Sequence, residues 1–203
     1  IQVSIFDVII FLGVFQGLML SWFFIRNYRG ERRYNLFQGL LLLSMSLAIF
    51  EEWLNNTGFI VRVLYLTNFS ESLNFTFAPL LYLYIRNSLE QESGKKAWWH
   101  FVPFFIWTLY MVFQFIQPDE AKYNSYIQTK HPDWGFLEAE GSISDDPLGI
   151  RAVVNQLMLV QLITYISLAV YVLLKKFRML GQPLFKTENE LLRILRNTII
   201  QFI

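Results

Sequence analysis

Polar side chains inside an otherwise apolar chain are the residues that could do chemistry. In the stretch SESLNFTFAPLLYLYIRNSL, Glu71 and Asn74 come directly before an apolar run from Leu80 to Ile85. Together with Thr67 and Ala78 they follow the spacing i, i+4, i+7, i+11, which places them on one face of a helix. A carboxylate and an amide on one face could bind a polar ligand or pair with groups of the protein itself.

Ionisable residues within membrane segments are costly and are therefore candidates for function. The predicted site consists of ionisable and amide residues in the outer half of the predicted spans. In one interpretation Glu71 pairs with Arg62 or Arg151 and nothing binds. In a second, spans two, three and five enclose a water-accessible pocket for an unknown small ligand. A transport path is disfavoured, because the polar stripe fades before the inner side. The candidate ligand-binding residues are Glu71, Asn74, Glu52, Arg62, Asn155 and Gln156.

Motifs of soluble catalysis are missing from the sequence. There is no Cys, which excludes thiolate catalysis and Cys-ligated metals. There is also no phosphate-binding glycine loop, HExxH or GxSxG pattern. The two histidines, His100 and His131, fall on opposite sides of the membrane in the predicted topology. We therefore expect no enzyme, no metal site and no cofactor.

Composition favours the bilayer as the solvent. Hydrophobic residues make up 54% of the 203 residues and charged residues only 16%, against about 25% charged in soluble domains. Five segments approach or exceed the roughly 20 residues that span the hydrocarbon layer. We therefore predict an all-α polytopic membrane bundle over residues 1–203, with spans at about 5–25, 36–54, 59–89, 98–116 and 148–174.

The end of the chain allows two interpretations. Thr187 and Glu190 fit a capping box, followed by LLRILRNTIIQFI. This segment could be an amphipathic interfacial helix or the start of a sixth span from about residue 188. We favour the sixth span, because charge disappears after Arg196. Since the chain begins with Ile1 and stops within this pattern, we expect it to be a fragment of a longer protein.

The distribution of charge predicts the orientation. Thirteen of the 17 basic residues fall in the segments after spans one, three and five. The loop 117–147 instead carries seven acidic residues and two lysines. By the positive-inside rule the basic side is cytoplasmic, the N-terminus is outside, and 117–147 is an extracytoplasmic acidic loop.

Small residues and prolines indicate how the spans pack. Gly13, Gly17 and Ser21 form a ladder at i, i+4 and i+8, which predicts close packing of the first span on another helix. Pro79 and Pro103 fall inside predicted spans, where neighbouring helices must satisfy the carbonyl that each proline leaves free.

The order of these features resembles the membrane-embedded N-terminal half of bacterial AraC-type helix-turn-helix regulators. The resemblance rests on FLGVFQGLMLSWFFIRNYRGERRYNLFQGLLLLSMSLAIFEEWL, APLLYLYIRNSL and WWHFVPFFI. It implies a multi-pass protein of the bacterial inner membrane that passes an extracytoplasmic or membrane signal to a cytoplasmic DNA-binding domain. That domain is not in this sequence, so DNA would be a partner only through a longer parent chain.

Several alternatives stay open at this stage. Similar membrane halves also precede LytTR-type domains or histidine kinases, so the sequence could be the membrane part of a sensor kinase. It could also be a non-enzymatic membrane subunit of a larger complex. Besides the lipid bilayer, the expected partner is an unknown small ligand or membrane protein. A homodimer is a further option.

Overall fold

The chain forms a helical bundle in a computed structural model, which describes residues 3–28, 33–90 and 97–202. No β-strand occurs within those ranges. The α-helices are α1 (Ile5–Arg26), α2 (Tyr34–Thr57), α3 (Asn74–Glu90), α4 (Val102–Tyr110), α5 (Val112–Phe115), α6 (Asp119–Lys130), α7 (Arg151–Met179) and α8 (Glu190–Phe202). Short 3₁₀ turns lie at Phe59–Arg62, Leu64–Leu66, Glu71–Leu73 and Ala97–Phe101.

Three of these helices, α1, α2 and α7, are long and apolar enough to cross a membrane. The segment Ala97–Phe115 passes the same test only together with α6, and the two are bent by 107° relative to each other. The described residues therefore offer three spans, or up to four if the bent pair is one broken span. The predicted count of five complete spans and the start of a sixth is not confirmed.

The predicted third span differs most from the structure. Residues 59–73 form 3₁₀ turns instead of a helix, and α3 covers only Asn74–Glu90. Gly58 ends α2 in the left-handed conformation at φ 74°, and Asn68 is left-handed at φ 61°. A left-handed residue cannot continue a right-handed helix. The stripe from Thr67 to Ala78 is therefore interrupted at Asn68.

The loop at 117–147 also differs from expectation, because it contains α6. Tyr126 and Ile127 of α6 pack on Leu54 near the end of α2 and on Ile60 of the following 3₁₀ turn. The remainder, residues 131–149, has no helix. Trp134 stacks on His131 with ring centroids 4.2 Å apart, while Phe136 and Leu137 are exposed.

Helix α3 lies at the centre of the bundle, between α2 and α7. All six side chains from Leu80 to Ile85 are buried.

The two ends of the bundle differ in composition. The loop end holds the start of α7, the end of α2 and residues 110–150. The opposite end, with the ends of α1, α3 and α7, is called the basic end. Arg29, Arg32, Lys95 and Lys96, used in the orientation argument, lie outside the described residues.

Helix α1 packs on α2 through small residues. A Cβ at Gly17 would lie 2.1 Å from Ser46 Oγ, and one at Gly39 would lie 3.0 Å from the Ser21 carbonyl oxygen. Ser21 Oγ donates a hydrogen bond of 2.8 Å to the Gly39 carbonyl. The predicted packing is thus confirmed for Gly17 and Ser21. It is wrong for Gly13, where a Cβ would meet no atom of another element within 4 Å among the described residues.

Helix α8 is amphipathic over its described length. Leu192, Leu195 and Ile199 are buried in the main core beside α3 and α7. The spacing of three and four residues makes one apolar face, and the opposite face is exposed, as in an interfacial helix. The cap also differs from the prediction. The helix begins at Glu190, and Asn189 Oδ1, not Thr187, accepts from the Leu192 backbone N–H at 3.2 Å.

The two prolines have different roles. Pro103 lies in the first turn of α4, where no backbone donor is required. Pro79 lies inside α3, so the carbonyl of Phe75 four residues earlier loses its helical partner. Gln161 Nε2 of α7 donates to that carbonyl at 3.1 Å. A neighbouring helix thus satisfies the freed group, as predicted for Pro79.

This contact predicts a coupling between the two residues. Gln161→Leu should lower the free energy of unfolding by about 1 kcal/mol, because the buried Phe75 carbonyl loses its donor. In a Pro79→Ala background the loss should be smaller, since the N–H of alanine can bond to the same carbonyl. Equilibrium unfolding in mixed micelles measures both effects, with the exposed Gln156→Leu as the matched control. Equal losses from Gln161→Leu in both backgrounds would contradict the coupling.

Candidate functional site

The charged cluster at the loop end centres on Arg151, the first residue of α7. Its Nη2 lies 3.9 Å from Glu71 Oε2, and its Nη1 lies 3.3 Å from Asp145 Oδ2. Only about one fifth of the Glu71 and Arg151 side chains is exposed. Of the two partners considered for Glu71, the structure therefore selects Arg151 over Arg62. One guanidinium joins the turn before α3, the 131–149 segment and the start of α7.

Asp146 fixes the backbone at the start of α7. Its carboxylate accepts from the backbone N–H groups of Ile150 at 2.9 Å and Arg151 at 3.2 Å. It also accepts from the Tyr110 hydroxyl, which in turn accepts from the Leu148 N–H at 3.2 Å. Free N–H groups at a helix start need such acceptors. The segment before α7 is thereby tied to the end of α4.

The same contacts lower the pKa of Asp146. The Tyr110 hydrogen bond is the largest cause, and the Arg151 and Ile150 N–H groups add to it against partial desolvation. Because the folded pKa is lower than the unfolded one, the charged carboxylate stabilises the fold above the ordinary value of 3.8. This contribution is lost as the pH falls through the lowered pKa.

Glu51 is the acidic residue of α2 that faces the interior. It is 5% exposed, and its Oε2 accepts from the Ser70 backbone N–H at 2.7 Å. This bond ties the turns at 59–73 to α2. The predicted site instead included Glu52, which is exposed and forms a 2.7 Å ion pair with Lys130 of α6.

Helical spacing could have separated these two glutamates. The buried residues of α2 recur at intervals of three, four and seven, and Glu51 continues that pattern while Glu52 does not. The buried positions that define this face are Phe37, Leu41, Ser44, Glu51 and Leu54.

The other predicted site residues do not join the cluster. Arg62 is exposed and lies over the Phe59 ring, 5.9 Å from its centroid. Asn74, Asn155 and Gln156 are exposed, and their side chains make no hydrogen bond to the described residues. The predicted set therefore contributes Glu71 to the cluster, and the structure supplies Arg151, Asp145 and Asp146.

An apolar cavity of about 420 Å³ lies beside the cluster, between the start of α3, α4 and α7. Trp107, which is 4% exposed, is one of its walls, and its Nε1 makes no hydrogen bond to the described residues. The lining is almost entirely apolar, so this cavity does not match the expected water-accessible pocket. Its walls are Phe75, Pro103, Ile106, Trp107, Tyr110, Ile150, Leu157 and Gln161.

A second, polar pocket of about 310 Å³ lies between α5, α6 and the 131–149 segment. Asp145 belongs both to this pocket and to the Arg151 cluster. The sequence did not predict this pocket, because most of its residues come from the segment 117–147, which was interpreted as a loop. The amide residues Gln114, Gln117, Asn124 and Gln128, placed before and along α6, were the available signal.

Neither histidine contributes to the Arg151 cluster. His100 Nδ1 lies 2.9 Å from the Tyr165 hydroxyl, and His131 stacks on Trp134. Among residues 3–28, 33–90 and 97–202, no group of three or more metal-ligating side chains could hold an ion.

No protein-family model, no curated protein and no solved structure matches the chain. The resemblance to AraC-type membrane halves therefore stays a prediction.

Removal of Arg151 should destabilise the loop end more than removal of Lys130, whose partner Glu52 is exposed. Arg151→Met leaves the half-buried Glu71 without a counter-charge, which should cost about 2 kcal/mol in the free energy of unfolding. Lys130→Met, the matched control, breaks the ion pair with the exposed Glu52 and should cost at most about 1 kcal/mol. Adding Glu71→Gln to Arg151→Met should recover part of the loss. Equal effects of the two single variants on denaturant unfolding would contradict the role of Arg151.

Proposed function

We propose that the chain is the membrane sensory or anchoring domain of a membrane-bound transcriptional regulator of AraC type. In this proposal the loop end is extracytoplasmic and the basic end faces the cytoplasm of a bacterium. A signal received at the loop end changes the packing of the helices. The change reaches a cytoplasmic DNA-binding domain that would follow this sequence in a longer parent chain.

The observation that carries the proposal is the contact between the acidic segment and α7. Asp145 and Asp146 of that segment both interact with Arg151, by an ion pair and by a backbone hydrogen bond. Helix α7 then runs 29 residues without a break, a length of about 43 Å. A displacement of its first turn can therefore be transmitted along the whole helix.

The basic end offers a place where such a displacement could be read. Leu173 and Phe177 near the end of α7 share one core with Leu192 and Leu195 of α8. Lys176 Nζ lies 3.3 Å from the Leu89 carbonyl at the end of α3. In the proposal, α8 precedes the effector domain, so a shift of α7 changes the pose of that domain.

One observation supports a second candidate, a non-enzymatic subunit of a membrane complex. Of the 22 residues of α1 only Val14 and Ser21 are buried, and a Cβ at Gly13 would point into open space. A small residue on an open helix face suits close approach of another membrane helix. In this alternative α1 binds a partner protein or a second copy of the chain.

Cysteine labelling tests the orientation. The chain has no Cys, so single substitutions at the exposed positions Glu138 and Lys186 give clean reporters. A membrane-impermeant maleimide should label Glu138→Cys in intact cells and Lys186→Cys only after the membrane is permeabilised. The reverse pattern would show that the basic end is outside and would contradict the proposal.

The parent chain tests the function itself. The gene segment after Ile203 should encode a helix-turn-helix pair. A phosphorylatable histidine region there would indicate a sensor kinase, and an early stop would favour the membrane subunit.

In that parent chain, Glu71→Gln should abolish or lock the transcriptional response, because it removes the charge that faces Arg151. Glu52→Gln, with its exposed side chain, is the matched control and should leave the response unchanged. Transcript profiles at equal membrane levels measure both. A wild-type profile for Glu71→Gln would contradict the proposed relay.

A further inference from the structure

The polar pocket between α5, α6 and the 131–149 segment has the features of a ligand site. Its lining is dominated by amide and hydroxyl side chains, with one carboxylate and no basic residue. We propose that it binds a small polar molecule bearing a primary amine, whose ammonium group pairs with Asp145. The lining residues are Gln114, Gln117, Ala121, Asn124, Ser125, Gln128, Ala139, Ser142, Ile143 and Asp145.

Two buried glutamines provide unused hydrogen-bonding groups in the pocket wall. Gln114 is only 2% exposed, yet its side chain makes no hydrogen bond to the described residues. Gln117 is 6% exposed; its Nε2 donates to the carbonyls of Phe113 at 3.0 Å and Ile143 at 2.8 Å. Its Oε1 is buried with no partner in the described part of the chain. A buried polar atom without a partner, such as Gln117 Oε1, is uncommon. A polar ligand in the pocket would offer hydrogen-bonding groups to it and to the Gln114 amide.

The charge of the surroundings selects an amine over an anion. Asp145 is the one charged residue in the wall, and 46% of its side chain is exposed. The segment 117–147 carries seven acidic residues against two lysines, so its field attracts cations. Lys122 is buried and lies 4.0 Å from Asp119, outside the lining. Arg151 pairs with Asp145 but is not part of the lining, so among the described residues no cation faces the pocket to bind an anionic ligand.

The size and lining of the pocket also limit the ligand. A volume of about 310 Å³ lies at the lower end of the usual range of ligand pockets. The wall contains no aromatic ring on which a flat ligand could stack. A compact, hydrogen-bonding molecule therefore fits better than a nucleobase or an aromatic amine.

Asp145 gives this site a route to α7. A bound ammonium group would compete with the Arg151 guanidinium for the same carboxylate, which now lies 3.3 Å from Arg151 Nη1. Released from Asp145, Arg151 keeps Glu71 as its counter-charge, and the start of α7 is held less firmly to the 131–149 segment. This consequence rests on the proposed function, whereas binding in the pocket does not.

Calorimetry on the full chain in nanodiscs tests the binding. The probes are ethanolamine, glucosamine and glycinamide at neutral pH, each beside a neutral counterpart: ethylene glycol, glucose and acetamide. At least one amine should bind at least tenfold more tightly than its counterpart. Asp145→Asn should weaken that binding about tenfold or more, because an ionic hydrogen bond is lost. Asp133→Asn, an exposed carboxylate outside the pocket wall, is the matched control and should have no effect.

A second variant and a folding measurement complete the test. Gln114→Met replaces the buried amide by an apolar side chain of similar length and should also weaken amine binding. Thermal unfolding then confirms that each variant is folded. Equal binding of amines and neutral counterparts, no binding of any probe, or full binding by Asp145→Asn would overturn the proposal. Amine binding without any transcriptional response in the parent chain would support the site and contradict the proposed function.

Discussion

The burial of α3 between α2 and α7 is the constraint on which the rest of the structure depends. A helix enclosed on all sides must have every backbone group paired, because an unpaired buried group costs about 1–3 kcal/mol. Pro79 breaks this requirement at the Phe75 carbonyl, and Gln161 restores it from α7. The register of α7 against α3 is therefore specified by a polar contact in an otherwise apolar interface.

Much of the helical architecture could be predicted from the sequence because the apolar segments are long. The predicted bounds of the first two spans lie within three residues of α1 and α2, and those of the fifth within five residues of α7. The segment 59–73 could not be predicted from hydropathy, since hydropathy carries no signal for the left-handed conformation of Asn68. The turns of this segment are fixed by Glu51 of α2, whose carboxylate accepts a hydrogen bond from the Ser70 backbone N–H. A side chain on another helix thus decided a local structure.

The candidate site could be predicted only where opposite charges pair directly in space. Glu71 was expected to pair with an arginine, and Arg151 was one of two options. The exposed positions of Asn155 and Gln156 could not be predicted, because α7 is apolar on most of its circumference and shows no clear face. The polar pocket depends on the path of residues 131–149, which has no periodicity to read.

The neighbouring carboxylates Asp145 and Asp146 have different energetic roles at the loop end. Asp146, Tyr110 and the first N–H groups of α7 form a closed set of hydrogen bonds that holds one arrangement. Asp145 and Arg151 instead form a partly exposed ion pair. Such pairs contribute little to stability, and in our proposal a ligand ammonium group replaces Arg151 at Asp145. A ligand can shift a packing equilibrium only by its differential affinity for the two states. Because Asp145 is shared between the pocket and Arg151, occupancy of the pocket and the position of α7 would be linked by that single carboxylate.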